Sequence, residues 1–362
     1  MNSTLEIQER RTEIRPDLLE AFAGKMMNEM GAAISGALTL LGDRLGIYQA
    51  LAKAGPISSE GLARATELDE RYLREWLCAQ AASGYIDCDA AEGLFWMNPE
   101  QAAVFADPDS TLPISAGFYS ISAVYHDVPL LEAAFKSGKG VAWSEHHSCL
   151  FCGTERFFRP GYRENLVAKW IPALDGVEAK LIAGGQVADI GCGHGASTVL
   201  MAKAYPKTRF VGFDVHDESI KVARERAAEE GVTNIEFHVA SAKNFPGTDY
   251  DLVTIFDALH DMGDPVGAAV HIRGALKPDG TWMIVEPMAG DTLAENLNPL
   301  GRIYYSFSAM ICTPGSRAQE VGLALGAQAG EKRLRAVVEE GGFSRFRRAT
   351  ETPVNLVLEA RP

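Results

Sequence analysis

The chain has 362 residues, of which 47% are hydrophobic and 23% charged, and its formal net charge is −14. This length and composition are those of a folded protein with room for about two domains, and they exclude a largely disordered chain. The acidic balance argues against non-specific nucleic-acid binding, which needs basic side chains to displace counterions.

The chain also has no segment typical of membrane insertion. Its first twenty residues contain no apolar core of a signal peptide, and no 18 uncharged apolar residues follow one another. We therefore expect no signal peptide, no transmembrane helix and no membrane partner. The six cysteines show no repeated spacing and are expected to be free thiols in a reducing cytoplasm.

Residues 17–54 carry apolar side chains at positions i, i+3 and i+4, which predicts two helices. Small residues between Gly31 and Ala37 allow another helix to approach closely. That helix can belong to a second subunit, which would make the protein a homodimer, or to the same chain.

A helix-turn-helix with a wing is predicted next. Ser58 or Ser59 can cap a short helix, and Asp69 can cap a second one that runs through Ala82. Residues 85–101 then alternate as a two-stranded wing with a turn near residues 92–93. This order of elements is a winged-helix pattern, and it suggests DNA binding as one function.

The charge of this module argues against that function. Residues 44–107 contain five basic and ten acidic side chains, whereas a surface that reads DNA is basic. A dimerisation module, or one that encloses a substrate, is favoured. A winged-helix transcriptional regulator that uses the second domain as a sensor remains an alternative.

Residues 110–182 are rich in aromatic side chains and are expected to form helices that roof a pocket. Within them, "EHHSCLFC" could bind zinc, but its four candidate ligands, two histidines and two cysteines, fall within seven residues, which favours a packed or pocket-lining role. From Gln186 onward strands and helices alternate, as in a parallel α/β domain. We therefore divide the chain into residues 1–110, 111–182 and 183–362.

The glycine loop in "QVADIGCGHGAST" joins the first strand of that domain to a helix. Gly191, Gly193 and Gly195 allow a tight turn and a close approach of the backbone to a ligand. Their spacing differs from the G-x-G-x-x-G dinucleotide fingerprint and suits a nucleoside without a pyrophosphate. Asp189, at the strand end, could hold a cationic amino-acid group, directly or through water.

Two further strand ends complete the expected nucleoside site. Asp214, 23 residues after Gly191, ends the second strand, where a carboxylate can take both ribose hydroxyls or can simply lie on the surface. Ser241, Ala242 and Lys243 follow the third strand, where an adenine edge would fall. The last two strands, in "FSRFRRATETP" and "VNLVLEARP", are expected to form an antiparallel hairpin at the sheet edge.

The segments "VADIGCGHG" and "DALHDMGDP…LKPDGTWMIVEP", together with Asp214 and the terminal hairpin, resemble the class I S-adenosylmethionine-dependent methyltransferases. The preceding winged helix resembles the dimerisation domain of small-molecule O-methyltransferases, both plant-type enzymes and an actinobacterial and mycobacterial set. The resemblance implies an α/β fold with a Rossmann-like seven-stranded sheet, its last strand antiparallel, behind a mostly helical winged-helix domain.

The same resemblance assigns the cofactor residues. Asp189 and the Gly191–Gly195 loop would hold the methionine part of S-adenosylmethionine, and Asp214 its ribose. Ser241, with Ala242 and Lys243, would lie beside adenine, although many relatives have an aspartate where Ser241 stands; a hydroxyl can still accept that hydrogen bond. Asp257, directly after the fourth strand, is also assigned to the cofactor.

His260 follows the fourth strand, on the sheet edge that faces the reactive methyl group in this topology. A hydroxyl acceptor needs a base, and histidine suits that work near neutral pH when a carboxylate fixes its tautomer. Its "HDM" segment resembles the "HDW" of plant-type O-methyltransferases, where two glutamates flank the histidine; Glu286 and Glu331 match them. His260, Glu286 and Glu331 are therefore the predicted catalytic residues.

Two other roles for His260 remain open. Related C-methyltransferases of 2-oxo acids bind a metal with a His-Asp pair and a distant second histidine; here Cys312 stands near that second place, and we expect no metal. Alternatively, His260 only helps to close a turn, with Asp261 and Asp264 capping the helix that begins near Pro265.

The acceptor pocket is expected after the fifth strand and beneath the aromatic segments 118–125 and 151–162, since small-molecule sites are mostly apolar with a few polar groups. Its candidate residues are Arg302, Tyr305, Met310 and Cys312. Altogether the sequence predicts S-adenosylmethionine-dependent O-methylation of a small molecule, with metal-assisted C-methylation as the alternative.

Overall fold

The computed structural model describes residues 14–107, 110, 112 and 114–362. The chain divides into two compact units, Met1–Phe118 and Tyr119–Pro362. The boundaries at residues 110 and 182 stay a prediction. Across the described ranges, no helix combines the length and apolar character that a membrane crossing requires.

The first unit is a winged helix-turn-helix, as predicted. Ser58 Oγ accepts a hydrogen bond from the Gly61 N–H at 3.2 Å, and Asp69 Oδ1 accepts one from the Tyr72 N–H at 3.2 Å, so the predicted caps start both helices. The wing consists of strands β1 and β2, which pair antiparallel, with Cys88 opposite Phe95. The described elements are α1 (Pro16–Arg44), α2 (Ile47–Ala54), α3 (Ser59–Thr66), α4 (Glu70–Ala82), β1 (Asp87–Asp89), β2 (Leu94–Trp96) and α5 (Pro99–Phe105).

Helix α1 keeps a row of large apolar side chains exposed in the single chain. The row follows the three- and four-residue spacing of one helix face, and its members are between 43% and 69% exposed. These residues are Leu19, Phe22, Met26, Met30, Ile34 and Leu41. We call this set the α1 stripe.

The second unit is built on a seven-stranded sheet in the order β5-β4-β3-β6-β7-β9-β8. Strands β3 to β7 run parallel, and β9 is antiparallel to both of its neighbours, β7 and β8. This confirms the predicted seven-stranded sheet with an antiparallel last strand and the hairpin at its edge. The strands are β3 (Gln186–Ile190), β4 (Arg209–Asp214), β5 (Ile235–Val239), β6 (Tyr250–Phe256), β7 (Leu276–Pro287), β8 (Arg345–Glu351) and β9 (Asn355–Arg361).

Helices cover both faces of this sheet. They are α6 (Gly117–His126), α7 (Val128–Ser137), α8 (Cys149–Asn165), α9 (Val177–Ala183), α10 (Ala196–Ala204), α11 (Asp217–Glu229), α12 (Pro265–Ala275), α13 (Leu293–Asn296), α14 (Pro299–Phe307), α15 (Thr313–Arg317) and α16 (Gly330–Glu340). Central strand β6 is buried at every position, because parallel sheets are packed on both sides. Val253 and Ile255 face one core, and Leu252 and Phe256 face the other.

The strand order reverses direction beside β3. From β3 the chain moves outward through β4 and β5, and then returns to place β6 on the other side of β3. In open α/β sheets, such a switch point leaves a crevice outside the carboxyl ends of the strands, where ligands bind.

Candidate functional site

A cavity of about 430 Å³ occupies this crevice, a size typical of small-molecule sites. Segments that follow β3, β4, β5 and β6 form its floor, and the cover comes from α8 and the turn before it. The floor residues include Gly191, Cys192, Gly193, His194, Asp214, Ser241, Ala242, Lys243, Asp257, Ala258, Asp261 and Met262.

The glycine loop needs its glycines for two separate reasons. Gly195 has a φ of 72°, and a Cβ atom there would lie 2.7 Å from the Phe237 ring. Gly191 has a φ of 69°, and a Cβ atom would lie 3.1 Å from Ala258, across the cavity floor. Both positions therefore favour glycine by backbone conformation and by space. The loop brings backbone, rather than side chains, to the cavity.

Asp189 lies beneath this loop and not on the cavity wall. Its carboxylate is fully buried and accepts hydrogen bonds from three hydroxyls, those of Ser197, Thr198 and Thr254, at 2.8, 2.6 and 2.8 Å. Burial raises the pKa of Asp189 to about 6. The direct ligand contact predicted from its place at the strand end is therefore revised, because those hydroxyls already occupy the carboxylate.

Asp214 lies on the cavity wall, where the sequence predicts it. Its two oxygens accept hydrogen bonds from the backbone N–H groups of Gly193 and His216, at 2.9 and 2.8 Å. Burial raises the pKa of this carboxyl, and the two backbone bonds counteract that effect. Each oxygen has a second lone pair, so a pair of ligand hydroxyls can still donate to it.

The three residues after β5 also line the cavity. The Ser241 hydroxyl donates to Asn244 Oδ1 at 2.9 Å, so its oxygen is left to accept a hydrogen bond from a ligand. Lys243 Nζ donates to Asp264 and Glu320, at 2.8 Å each. This ammonium is therefore neutralised by two carboxylates, and its contribution at the cavity edge is mainly its carbon chain.

Asp257 lines the cavity, but both of its oxygens have protein partners. Oδ2 accepts from the Tyr162 hydroxyl at 2.7 Å, and Oδ1 accepts from Asn355 Nδ2 at 2.8 Å. Burial raises the pKa of Asp257 to about 7. Its φ of 49° lies in the left-handed region, which aspartate tolerates better than most residues. Asp257 thus ties helix α8 and strand β9 to the end of β6.

His260 lies directly behind the cavity wall, with 4% of its surface exposed. Its Nδ1 is 2.5 Å from Glu286 Oε2, and the other Glu286 oxygen accepts the Leu259 backbone N–H at 2.9 Å. Glu286 is buried near the end of β7, the strand that pairs with β6. The structure therefore joins two of the three predicted catalytic residues. A carboxylate at Nδ1 fixes the proton there and leaves Nε2 as the basic atom.

Asp261 and Cys312 lie on the other side of the imidazole. Asp261 Oδ1 is 3.2 Å from His260 Nε2 and lines the cavity. Burial opposes the imidazolium, but Asp261 and Glu286 outweigh it and hold the pKa of His260 well above its usual value. Burial also raises the pKa of the Cys312 thiol to about 12. The two carboxylates therefore favour the imidazolium form of His260 over the neutral form.

Cys312 reaches this position because α14 continues into a π-helical turn, Ser308–Cys312. Such π turns are frequent at functional sites. One ligand atom each from His260, Asp261 and Cys312 lies within 4.8 Å of the others. Among the described residues, "EHHSCLFC" supplies no comparable cluster. His146, its first histidine, is hydrogen-bonded to Asp127 through Nδ1.

Glu331 is not joined to His260. It lies on α16, where its oxygens accept hydrogen bonds from Arg335 at 3.1 Å and Arg348 at 2.8 Å. The second carboxylate beside the imidazole is Asp261 instead. The predicted catalytic set is therefore corrected at this position. The sequence could have indicated Asp261 as this carboxylate, since it is the residue next to His260.

Of the four residues predicted to line the acceptor pocket, two lie near the site and two do not. Cys312 contacts the His260 cluster, and Met310 packs with Ile311 beneath the cover helices. Arg302 and Tyr305 lie on the exposed side of α14, away from the cavity wall. The wall on this side is formed instead by Ile311, Gly315, Gln319 and Glu320. A π turn in the middle of the helix changes which residues face inward, and the sequence does not reveal it.

The cover of the cavity is aromatic, as predicted for residues 151–162. Trp143, Phe151, Phe158 and Tyr162 line it. Phe151 lies 4.6 Å from the His216 ring, centroid to centroid. The lining as described contains six carboxylates and one lysine, which is already paired. Such a wall favours a ligand that carries positive charge.

The fold and this crevice define a Rossmann-like methyltransferase domain behind a winged helix. Residues 182–342 match the family model described as "Methyltransferase domain", and residues 32–106 match the "Rv2258c-like winged HTH domain". The chain is therefore a methyltransferase-domain protein with an N-terminal winged helix.

Individual proteins agree with this assignment. The chain is 33% identical over 122 residues to the uncharacterized methyltransferase YcgJ of Bacillus subtilis, covering 33% of this chain and 47% of that protein. It spans about half the length of the curated relatives it matches.

Solved structures match over nearly the whole chain. The mitomycin 7-O-methyltransferase MmcR has a TM-score of 0.68 at 20% identity and covers 96% of this chain and 100% of its own. Human N-acetylserotonin methyltransferase, in complex with SAM, has a TM-score of 0.67 at 17% identity and covers 97% and 99%. At these identities the likeness shows the shared fold.

Proposed function

We propose that this protein transfers a methyl group from S-adenosylmethionine to a hydroxyl of a small molecule, with His260 as the general base. The observation that carries the proposal is the buried His260–Glu286 pair, with a Nδ1–Oε2 distance of 2.5 Å, directly behind the wall of the cavity. Because Glu286 fixes the proton on Nδ1, the basic atom Nε2 is on the side of Asp261, which lines the cavity.

The cavity fits the cofactor chemically. S-adenosylmethionine would supply a methyl group on a positively charged sulfonium, and the acidic wall suits that charge. Asp214 would accept the ribose hydroxyls, the glycine-loop backbone would lie along the amino-acid part, and Ser241 would accept from adenine. Human N-acetylserotonin methyltransferase, which has this fold, was solved with SAM.

Side chains of the protein would remove the proton of the acceptor hydroxyl. The proton of the acceptor hydroxyl would move to His260 Nε2, and S-adenosylmethionine would supply the methyl group that replaces it on the oxygen, leaving S-adenosylhomocysteine. Glu286 holds the opposite ring nitrogen, and its charge stabilises the imidazolium that results. Asp261 stands where the acceptor hydroxyl would approach. The neutral imidazole must be present first, so the rate is expected to rise with pH.

The test is a methyl-transfer assay with labelled S-adenosylmethionine and a panel of phenols, catechols and 2-oxo acids. His260→Ala is expected to lower kcat by about 10²–10⁴-fold. His238→Ala is the matched control, because His238 lies exposed on β5 beside Glu236. An undiminished rate in His260→Ala contradicts the base role, and transfer to carbon rather than oxygen contradicts the proposed reaction.

Metal-assisted C-methylation is the second candidate, because the His260, Asp261 and Cys312 ligand atoms lie within 4.8 Å of one another. A metal would need the Cys312 thiolate, and burial raises the pKa of that thiol to about 12, which disfavours it in the metal-free protein. Elemental analysis of purified protein distinguishes metal-assisted C-methylation from O-methylation. Stoichiometric zinc or iron that is lost in Cys312→Ser would favour this candidate over O-methylation.

We further propose a cytoplasmic homodimer. The six cysteines are free thiols, which suits a reducing compartment. The α1 stripe supports self-association, since contiguous exposed apolar faces mark interaction sites. In α4, Arg71 and Arg74 are already paired with Glu75 and Glu70, which disfavours a DNA-reading role.

A further inference from the structure

A segment that starts at the end of α15 lines one side of the cavity and also packs against the turn that carries His260. We call residues 316–326 the strap; after the last residues of α15 they continue as an irregular segment. Gln319 and Glu320, both on the strap, line the cavity. Glu320 Oε2 accepts a hydrogen bond from Lys243 at 2.8 Å. The strap is therefore part of the cavity wall.

One side chain of the strap holds the backbone on both sides of Met262, directly after the His260–Asp261 pair. Gln319 Nε2 donates to the Asp261 carbonyl oxygen at 2.9 Å, and Gln319 Oε1 accepts the Gly263 backbone N–H at 3.0 Å. A single carboxamide thus uses its donor and its acceptor on the same turn. The contact fixes the backbone of Asp261, whose Oδ1 is 3.2 Å from His260 Nε2.

Two further hydrogen bonds join the strap to the same turn. The Ser316 hydroxyl donates to the Met262 carbonyl oxygen at 2.8 Å. The Leu323 backbone N–H donates to the Gly263 carbonyl oxygen at 2.9 Å. The two segments also approach closely, because a Cβ atom at Gly263 would lie 2.6 Å from the Glu320 carbonyl oxygen. The turn and the strap therefore hold one position relative to each other.

The backbone of the strap is strained. Val321 has a φ of 69° and Ala324 a φ of 52°, both in the left-handed region. A β-branched residue rarely adopts this conformation, which persists only where surrounding contacts fix it. Val321 is 68% exposed, so burial of its own side chain does not offset the strain. Strained residues cluster at functional sites, and Val321 directly follows two residues that line the cavity.

We propose that Gln319 is a positioning residue for the base His260. By holding the backbone of Asp261 and Gly263, Gln319 fixes the turn that sets the Asp261 carboxylate beside His260 Nε2. It acts through that turn and takes no proton itself. A displacement of about 1 Å near the reacting groups can lower a rate by about 10²-fold, so a small movement of this turn has a large effect. The inference rests on the proposed O-methyl transfer.

The test replaces Gln319 by methionine, which keeps the length of the side chain but removes both hydrogen bonds. The first readout is the ¹⁵N NMR signal of the His260 imidazole in protein saturated with S-adenosylhomocysteine, assigned by its loss in His260→Ala. We expect Gln319→Met to shift this signal, because Asp261 is no longer held beside Nε2. Gln328→Met is the matched control and should leave the signal unchanged, since Gln328 also donates to two backbone carbonyls, neither of them in this turn.

The second readout is methyl transfer with the phenols and catechols of the panel. For a compound that the parent methylates, Gln319→Met should lower kcat by about 10–10²-fold. Its calorimetric affinity for S-adenosylhomocysteine should stay within about threefold of the parent value, and Gln328→Met should keep the parent kcat. An unshifted imidazole signal or an unchanged kcat in Gln319→Met overturns the role of Gln319.

Gly263→Ala tests the same contact with Gln319 intact. Its methyl group would lie 2.6 Å from the Glu320 carbonyl oxygen, so it should displace the strap and shift the same imidazole signal. Gly274→Ala is the control, because no described atom lies within 4 Å of a Cβ atom placed there. Should Gln319→Met fail to bind S-adenosylhomocysteine while the parent binds it, Gly263→Ala takes its place, and an unshifted signal overturns the proposal.

Failure of the proposed function has a different signature. If S-adenosylhomocysteine does not bind the parent, or if the parent methylates no hydroxyl compound, the proposed function falls. The imidazole signals of the parent and Gln319→Met, recorded without the ligand, then still test whether Gln319 positions the turn, and equal signals overturn that role.

Discussion

Replacing Glu286 by glutamine separates the chemical role of this carboxylate from its structural one. Glutamine Oε1 can still accept the Leu259 N–H, which lies 2.9 Å from the glutamate oxygen. Its amide nitrogen would then face His260 Nδ1 and donate to it. The imidazole proton would move to Nε2, the atom that has to receive the proton of the acceptor.

The size of each effect follows from these contacts. The bond lost is the charge-assisted one at 2.5 Å, so the free energy of unfolding is expected to fall by about 1.5–3 kcal/mol. Glu286→Ala would also leave the buried Leu259 N–H unpaired, at a further cost of about 1–3 kcal/mol. The loss of a correctly protonated base is expected to lower kcat of Glu286→Gln by about 10²–10⁴-fold.

The assay is steady-state methyl transfer across pH, with urea unfolding of the same samples. In the parent, kcat should rise with pH, because Asp261 and Glu286 hold the pKa of His260 above its usual value. In Glu286→Gln one of these carboxylates is gone, so the residual activity should begin at lower pH. A folded Glu286→Gln protein with kcat within a factor of about 3 of the parent would refute the base mechanism.

Three further perturbations have distinct outcomes. Burial raises the pKa of Asp257 from 3.8 to about 7, so between these two pH values the folded state binds more protons than the unfolded state and parent stability falls as pH rises. Asp189, whose pKa is raised to about 6, contributes to the same fall, so Asp257→Asn should show a smaller fall in thermal melts, and an unchanged pH slope contradicts the assignment. Phe22→Glu combined with Met30→Glu should yield a monomer in light scattering, and a dimer that persists contradicts the role of the α1 stripe. Gly195→Ala puts a methyl 2.7 Å from Phe237 at a φ of 72° and should cost at least about 1 kcal/mol of stability; a melt equal to that of the parent contradicts it.

Local signals in the sequence were sufficient for most of the fold. The caps at Ser58 and Asp69 are three-residue patterns, and the buried strands alternate with helices in a readable order. Because ligands bind at the carboxyl ends of parallel strands, the sequence also predicts that Asp214, the last residue of β4, and His260, which follows β6, lie near one cavity.

The rest of the site depends on contacts between distant residues. Asp257 is held by Tyr162 and Asn355, 95 and 98 residues away, and no local pattern announces either bond. The position of Asp189 at a strand end predicts a ligand contact, but in the structure its carboxylate accepts hydrogen bonds from three hydroxyls of the protein.

Glu331 is implied by the family resemblance alone, and in the structure its carboxylate is hydrogen-bonded to Arg335 and Arg348. The pairing of His146 with Asp127 joins residues that lie 19 positions apart, with helix α7 between them. In each case the partner is set by tertiary packing and not by spacing along the chain.

The central claim is that the cavity binds S-adenosylmethionine through the strand-end carboxylate Asp214. Calorimetry with S-adenosylhomocysteine tests it most directly, with Asp217→Ala as the control, since Asp217 is an exposed acid three residues further on that pairs with Lys221. We expect the parent and Asp217→Ala to bind alike and Asp214→Ala to bind at least about tenfold more weakly. No binding by the parent, or equal binding by Asp214→Ala, would contradict the assignment of this site.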